Sequence, residues 1–178
     1  MVKWRFLKQF LIAFLSFLFV FLLVWTVSAM PDYREDNQPP DKHLLVLSGD
    51  LLYAVKTGAP IDSIETALAG VSTTGLIHGL SNDTARKVFW INIYNAYYQI
   101  LATREKLTRP DIFTDEAFTI GGVKLSLDDV EHGILRRYRV KWSYGYLPKF
   151  WPSRTIKKLA VSKIDYRIHF ALNCGAKS

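Results

Sequence analysis

Cys174 is the only cysteine in the chain, and it stands five residues after His169 with Asn173 beside it. A thiol becomes a nucleophile when a neighbouring base or a helix N-terminus stabilises the thiolate. His169 and His132 are the candidate bases, and Glu131 or an asparagine could orient either imidazole. Such a set would suit a cysteine-dependent hydrolase or acyl-transferase. The same residues have plainer uses, because cysteine is among the most buried side chains and is usually inert. With one cysteine the sequence as given closes no intrachain disulfide. His132, His169, Cys174 and Glu131 can also be read as metal ligands. No pair among them has a tight zinc spacing such as Cys-x-x-Cys or His-x-x-x-His. No cofactor can be named from these residues, and the enzyme question stays open.

A second group of residues suits binding. Asn92, Asn95 and Gln99 fall on one stripe of an otherwise apolar helix. A buried amide must find partners, so the stripe is either a hydrogen-bond network holding neighbouring loops or the polar wall of a site. Further on, Trp142, Tyr144, Tyr146, Phe150 and Trp151 interleave with Lys141, Lys149, Arg154, Lys157 and Lys158. That pattern packs a long loop, or it meets an anionic polymer, lipid headgroups or a protein partner. Trp151 and Lys149 are its binding candidates.

The elements that position these residues follow from capping and periodicity. His43 to Lys56 reads as a helix stopped by Gly58, and Ile61 to Val71 as a second, followed by a loop around Ser72 to Gly75. Asn82 or Asp83 caps a helix running to about Lys106. Val88, Ile91, Tyr94, Tyr98 and Leu101 take helical spacing, while Phe89, Trp90, Ile93 and Tyr97 cover the rest of the circumference. A helix apolar on nearly every side belongs at the centre of its domain. Asn82-Asp83-Thr84 also matches a glycosylation sequon, relevant only in a eukaryotic secretory pathway.

Ile120 and Val123 flank Gly121-Gly122, which predicts a hairpin over Phe118 to Leu127. Ser126-Leu127-Asp128-Asp129 resembles a capping box that opens a helix with Val130, Ile134 and Tyr138 as its core face. Tyr166, Ile168, Phe170 and Leu172 alternate with Arg167, His169, Ala171 and Asn173, which is strand periodicity. The fold class expected is α+β, mainly helical with a small antiparallel sheet, preceded by one N-terminal transmembrane or signal helix.

That first helix follows from Phe10 to Ala29, an apolar run preceded by Lys3, Arg5 and Lys8. About 20 helical residues cross a hydrocarbon core of ~30 Å. The basic flank stays in the cytoplasm, so the remainder is translocated. Val27-Ser28-Ala29 would also serve a signal peptidase, so an uncleaved anchor and a cleaved leader both stand. Residues 1–29 therefore form the anchor or signal, 30–42 a proline-bearing linker, and 43–178 one domain. The formal net charge of +7 is concentrated at the carboxyl end, where residues from 131 onward carry only Glu131 and Asp165 as acids. Export removes nucleic acid as a partner for this basic half. The partners expected are the membrane, through residues 10–29, and an anionic envelope polymer or protein.

Four blocks in order, Phe89-Trp90-Ile91-Asn92-Ile93-Tyr94-Asn95-Ala96, Ile120-Gly121-Gly122, Ser126 to Arg136 and Arg167 to Ser178, resemble the domain of unknown function 547. The resemblance covers roughly Leu44 to Ser178 and implies no reaction. In the family the last motif runs on into a second cysteine, a proline and tens of further residues. The expectation is therefore a carboxyl-terminally truncated member with an incomplete site, unable to form a disulfide between the two family cysteines.

Overall fold

The computed structural model describes residues 2–28, 38–139, 149 and 152–172. These fall into two units. One is built on the amino-terminal helix, and the other on residues 38–139 and 152–172.

Helix α1 (Val2–Ser28) has no acidic residue, and its Leu7–Val27 stretch is long and apolar enough to cross a membrane. At ~1.5 Å per residue that stretch spans about 30 Å. None of it is buried against protein, and Phe10, Phe17 and Phe19 are exposed. Length and composition of this kind fit an anchor and a signal sequence alike.

The second unit begins with α2 (Lys42–Thr57). Asp41 caps it by accepting the His43 amide at 2.8 Å, and Gly58 ends it at φ 74°, donating to the Ala54 and Val55 carbonyls. Next come α3 (Asp62–Gly70) and α4 (Thr73–Gly79). The expected loop at Ser72 to Gly75 is a helix start instead. Ser72 accepts the Gly75 amide at 2.9 Å, and Leu76 is fully buried. The cap and one core contact outweigh the poor helix propensity of Thr-Thr-Gly.

Helix α5 (Asp83–Thr103) is the core, with Phe89, Trp90, Ile93, Tyr94 and Ala96 wholly buried. Asn82 is its cap, accepting from the Ala85 amide at 2.9 Å. Asp83 looks elsewhere. Its carboxylate accepts the Ser162 amide (2.7 Å), the Ser162 hydroxyl (2.9 Å) and the Lys163 amide (2.9 Å). Three residues on, the buried Arg86 donates to the Leu80 and Ala160 carbonyls. The first turn of α5 thus fixes a segment nearly 80 residues away.

After the short α6 (Asp111–Thr114), strands β1 (Phe118–Ile120) and β2 (Val123–Leu125) pair antiparallel, with Ile120 opposite Val123. Gly121 and Gly122 have φ 61° and 72°, the left-handed pair of a two-residue hairpin turn. The Gly121 amide donates to Leu68 O, and its carbonyl accepts from the Thr73 hydroxyl. A Cβ on Gly121 would lie 2.8 Å from Leu76 Cδ2, so close approach as well as φ demands glycine.

Ser126 and Asp129 form the expected reciprocal box. Asp129 N–H donates to Ser126 Oγ (3.1 Å), and Ser126 N–H donates to the Asp129 carboxylate (3.1 Å). The helix that follows is a π-helix, Asp129–Leu135, rather than a regular one. Two short helices complete the unit, α7 (Arg154–Leu159) and α8 (Ile168–Ala171). The architecture is mainly helical with one small antiparallel sheet.

Helix α8 corrects the expected strand over Tyr166 to Asn173. Ile168 and Leu172 are buried, while Tyr166 and Phe170 are 80% and 82% exposed. Only every fourth residue faces the core, so the apolar alternation marked one turn of helix between two anchors.

Asp83→Ala should cost roughly 2 kcal/mol, because the lost bonds are charge-assisted and leave the Ser162 amide without its partner. Asn82→Ala, which removes only a cap, should cost about 1 kcal/mol. Chemical denaturation of the two variants checks the order.

Candidate functional site

The π-helix determines where its side chains point. Residues five apart diverge by about 140° on an α-helix, but share a face where the hydrogen bonds run from i+5 to i. Arg136 N–H donates to Glu131 O in that way, at 2.8 Å. Their side chains meet too, with Arg136 Nη2 2.8 Å from Glu131 Oε1. The helix then ends in two consecutive left-handed non-glycine residues, Arg137 at φ 54° and Tyr138 at φ 47°. Each such residue costs on the order of 1–3 kcal/mol and persists only where the surroundings over-determine it. Here Tyr138 is buried, its amide donates to Gly133 O, and the Arg139 amide donates to His132 O.

Glu131 and Arg136 belong to a longer chain of polar groups. Tyr94 on α5 donates its hydroxyl to Glu131 Oε2 at 3.1 Å. On the other side, Arg136 Nη2 lies 3.2 Å from His169 Nδ1. The order is Tyr94, Glu131, Arg136, His169, and it links α5, the π-helix and α8. A guanidinium only donates, so the imidazole nitrogen facing Arg136 accepts and the proton sits on the other one. In this arrangement His169 has no spare lone pair. Acting as a base would first require breaking its bond to Arg136. Glu131 likewise has both oxygens engaged.

His132 approaches Asp128. Its Nε2 is 3.9 Å from Asp128 Oδ1, longer than a hydrogen bond. Among the described residues, no group of three or more His, Cys, Asp or Glu side chains is placed to hold a metal ion. Asn92 donates to Ser48 Oγ (3.3 Å) on α2, Asn95 to Ala171 O (2.9 Å) on α8, and Gln99 to Asn95 O (3.1 Å). Asn92 and Asn95 therefore hold α2 and α8 against α5, while Gln99 bonds within its own helix. Lys149 is exposed and belongs to the unit of α1. Asn173, Cys174 and Trp151 lie outside the described residues.

Two participants were not legible as such. Tyr94 reads as a core residue because its ring is one, and Arg136 reads as a charge on a regular helix. The spacing of Glu131 and Arg136 by five is the one signal of their meeting that the sequence carries.

Beside α8 lies a groove of about 570 Å³, lined by Val88, Ile91 and Asn92 of α5 and by Asp165, Arg167 and Ile168. Asp165 accepts from Arg167 in a bidentate pair (2.9 and 2.7 Å) and from Lys87 at 3.3 Å. The Arg167 hydrogen bonds, more than Lys87, hold the Asp165 carboxyl well below the usual carboxylate range. On the opposite side of α5, burial and then Glu65 push the Tyr97 hydroxyl above the ordinary tyrosine range. It is therefore a neutral donor, stacked on Phe118 with ring centres 4.0 Å apart.

The profile of the family described as Protein of unknown function, DUF547 matches residues 77–178, more than half of the chain. The chain belongs to that family. The matched stretch contains α5, the hairpin, the π-helix and α8, and with them all four members of the Tyr94–His169 relay. Comparison with curated proteins and with solved structures gave no match.

In this member of the domain of unknown function 547 family, Glu131 should couple Tyr94 to Arg136. Tyr94→Phe should cost about 1 kcal/mol and Arg136→Met more, with the double variant departing from additivity by at least about 0.5 kcal/mol. A thermodynamic cycle by urea unfolding measures this.

Asp165 gives a pH prediction. A carboxyl whose folded pKa is depressed contributes stability that is present above its unfolded value and lost as pH falls through the folded one. Asp165 should therefore remain ionised at about pH 3, below the unfolded carboxylate value of ~3.9. Arg167→Ala should return its titration toward that value, as read by carboxyl-carbon NMR.

Proposed function

We propose that this chain is a membrane-tethered accessory module that binds an anionic partner through the basic surface of its carboxyl half. Helix α1 supplies the tether, and Lys3, Arg5 and Lys8 favour a cytoplasmic amino terminus. The domain then lies on the extracytoplasmic side, in the periplasm of a Gram-negative cell, or is secreted if the chain is cut after Ala29.

The observation that carries the binding reading is how the charges of this half are distributed. Its two acids are already committed, Glu131 to Arg136 and Asp165 to Lys87 and Arg167. Several of the remaining cations gather at one turn. Burial first, and then the Arg137 guanidinium, push the Arg139 pKa below its ordinary value. Lys157 of α7 comes 6.0 Å from the Tyr138 ring centre, which brings a third cation beside this turn. A basic surface whose two nearby acids are engaged within the protein, and whose cations gather at one turn, favours an anion from outside. The partner chemistry that fits is an envelope polymer or protein bearing repeated carboxylates or phosphates. The cysteine-dependent reading draws less support, since the acceptor nitrogen of His169 is occupied by Arg136.

The test uses the full chain in nanodiscs of a zwitterionic lipid, with polyglutamate as the probe. Binding should weaken steeply from low to physiological salt. Arg139→Glu and Lys157→Glu together should lower the affinity at least about tenfold. Binding that ignores both salt and these substitutions overturns the reading.

A further inference from the structure

The segment from Lys163 to Ala171 is exposed over most of its length, yet it is firmly held. Ile168 and Leu172 are 3% and 6% exposed and plug into the core around α5. Asn95 holds the Ala171 carbonyl, and Asp83 holds the amides of Ser162 and Lys163. Asp165 is braced between Lys87 and Arg167. What this frame presents outward is Tyr166 at 80% exposure, Phe170 at 82% and Ile164 at 44%, accompanied by the exposed cations Lys163 and Arg167. Large aromatic side chains are not left in water by default, and here two of them share one small, well-braced protrusion with two basic side chains.

We infer that this aromatic and basic knuckle rests on the anionic headgroup surface of a lipid bilayer. Three features select a bilayer from among possible occupants. Tyrosine and phenylalanine beside lysine and arginine is the composition that settles at a membrane interface, with rings at headgroup level and cations on lipid phosphates. Beyond the anchor the chain keeps a net charge of +4, the total of +7 less Lys3, Arg5 and Lys8, and this complements an anionic bilayer surface. The chain also carries a helix able to cross a membrane, joined to the domain by a linker of about a dozen residues. Such a linker keeps the bilayer surface at an effective concentration in the millimolar range, so a contact too weak to act alone becomes persistent. The inference rests on the tethered reading above and assigns one face of the domain to the membrane itself.

The test places a nitroxide spin label at Lys163→Cys in a Cys174→Ser background. The full chain is reconstituted into vesicles of phosphatidylcholine alone or with one third phosphatidylglycerol. Carbonate extraction is measured first, and release of the chain there would defeat the tethered reading itself. If the chain stays embedded, the label in anionic vesicles should show at least about a twofold rise in its oxygen-to-nickel accessibility ratio over neutral vesicles. Tyr166→Ser with Phe170→Ser should abolish that rise, and both positions are exposed enough to leave folding intact. A label at Tyr53→Cys, on the exposed face of α2, serves as the water-facing reference. Should Lys163 behave like Tyr53 in both vesicles, the assignment to lipid is overturned and the knuckle is left to a protein partner.

Discussion

A polar side chain on a helix submerged on nearly every side is costly to leave unsatisfied. Helix α5 places Phe89, Trp90, Ile93, Tyr94 and Ala96 out of water, yet it also carries Asp83, Arg86, Lys87, Asn92 and Asn95. Burying such groups without partners costs a few kcal/mol each. Every one of them reaches to another element, and four of the five reach the segment from Ala160 to Ala171. The desolvation of α5 thereby dictates where the carboxyl segment lies. The relay from Tyr94 to His169 exists because that segment is brought to the π-helix.

The relay is better suited to holding position than to moving protons. Arg136 contributes one nitrogen to both Glu131 and His169, and a guanidinium stays charged at any physiological pH. A proton cannot pass through it. It can keep α8 in register with the π-helix, and the left-handed residues Arg137 and Tyr138 turn the chain where the Tyr138 ring meets Lys157 of α7.

Local chemistry made much of the fold legible from residues alone. Gly58, Asn82, the Gly121-Gly122 turn and the Ser126–Asp129 box act within a few residues of themselves, and each does what its type suggests. The errors arose where distant contacts decide. Ser72 to Gly75 has loop-like composition, but Leu76 drew it into a helix. The alternation from Tyr166 to Leu172 fits a strand by pattern, and only burial distinguishes a period of two from a period of four. The π-helix leaves only the five-residue spacing of Glu131 and Arg136 as its trace in the sequence, and the meaning of that spacing shows only where the two side chains meet Tyr94 and His169. The site was accordingly visible as a set of residue types, while its connections were not.

The bonds from Asp83 and Arg86 to Ala160, Ser162 and Lys163 also set an order of events during synthesis. Residues made at about 5–20 per second leave roughly 4–16 s between the start of α5 and the arrival of its distant partners, which lie 74 to 80 positions later. For that interval the central helix of the domain has one side without its neighbours. Contacts so remote in sequence also slow folding, since the loop must close before any of them forms. The same ties that make the finished domain a single piece leave that side of α5 uncovered in the nascent chain until the last tie is made.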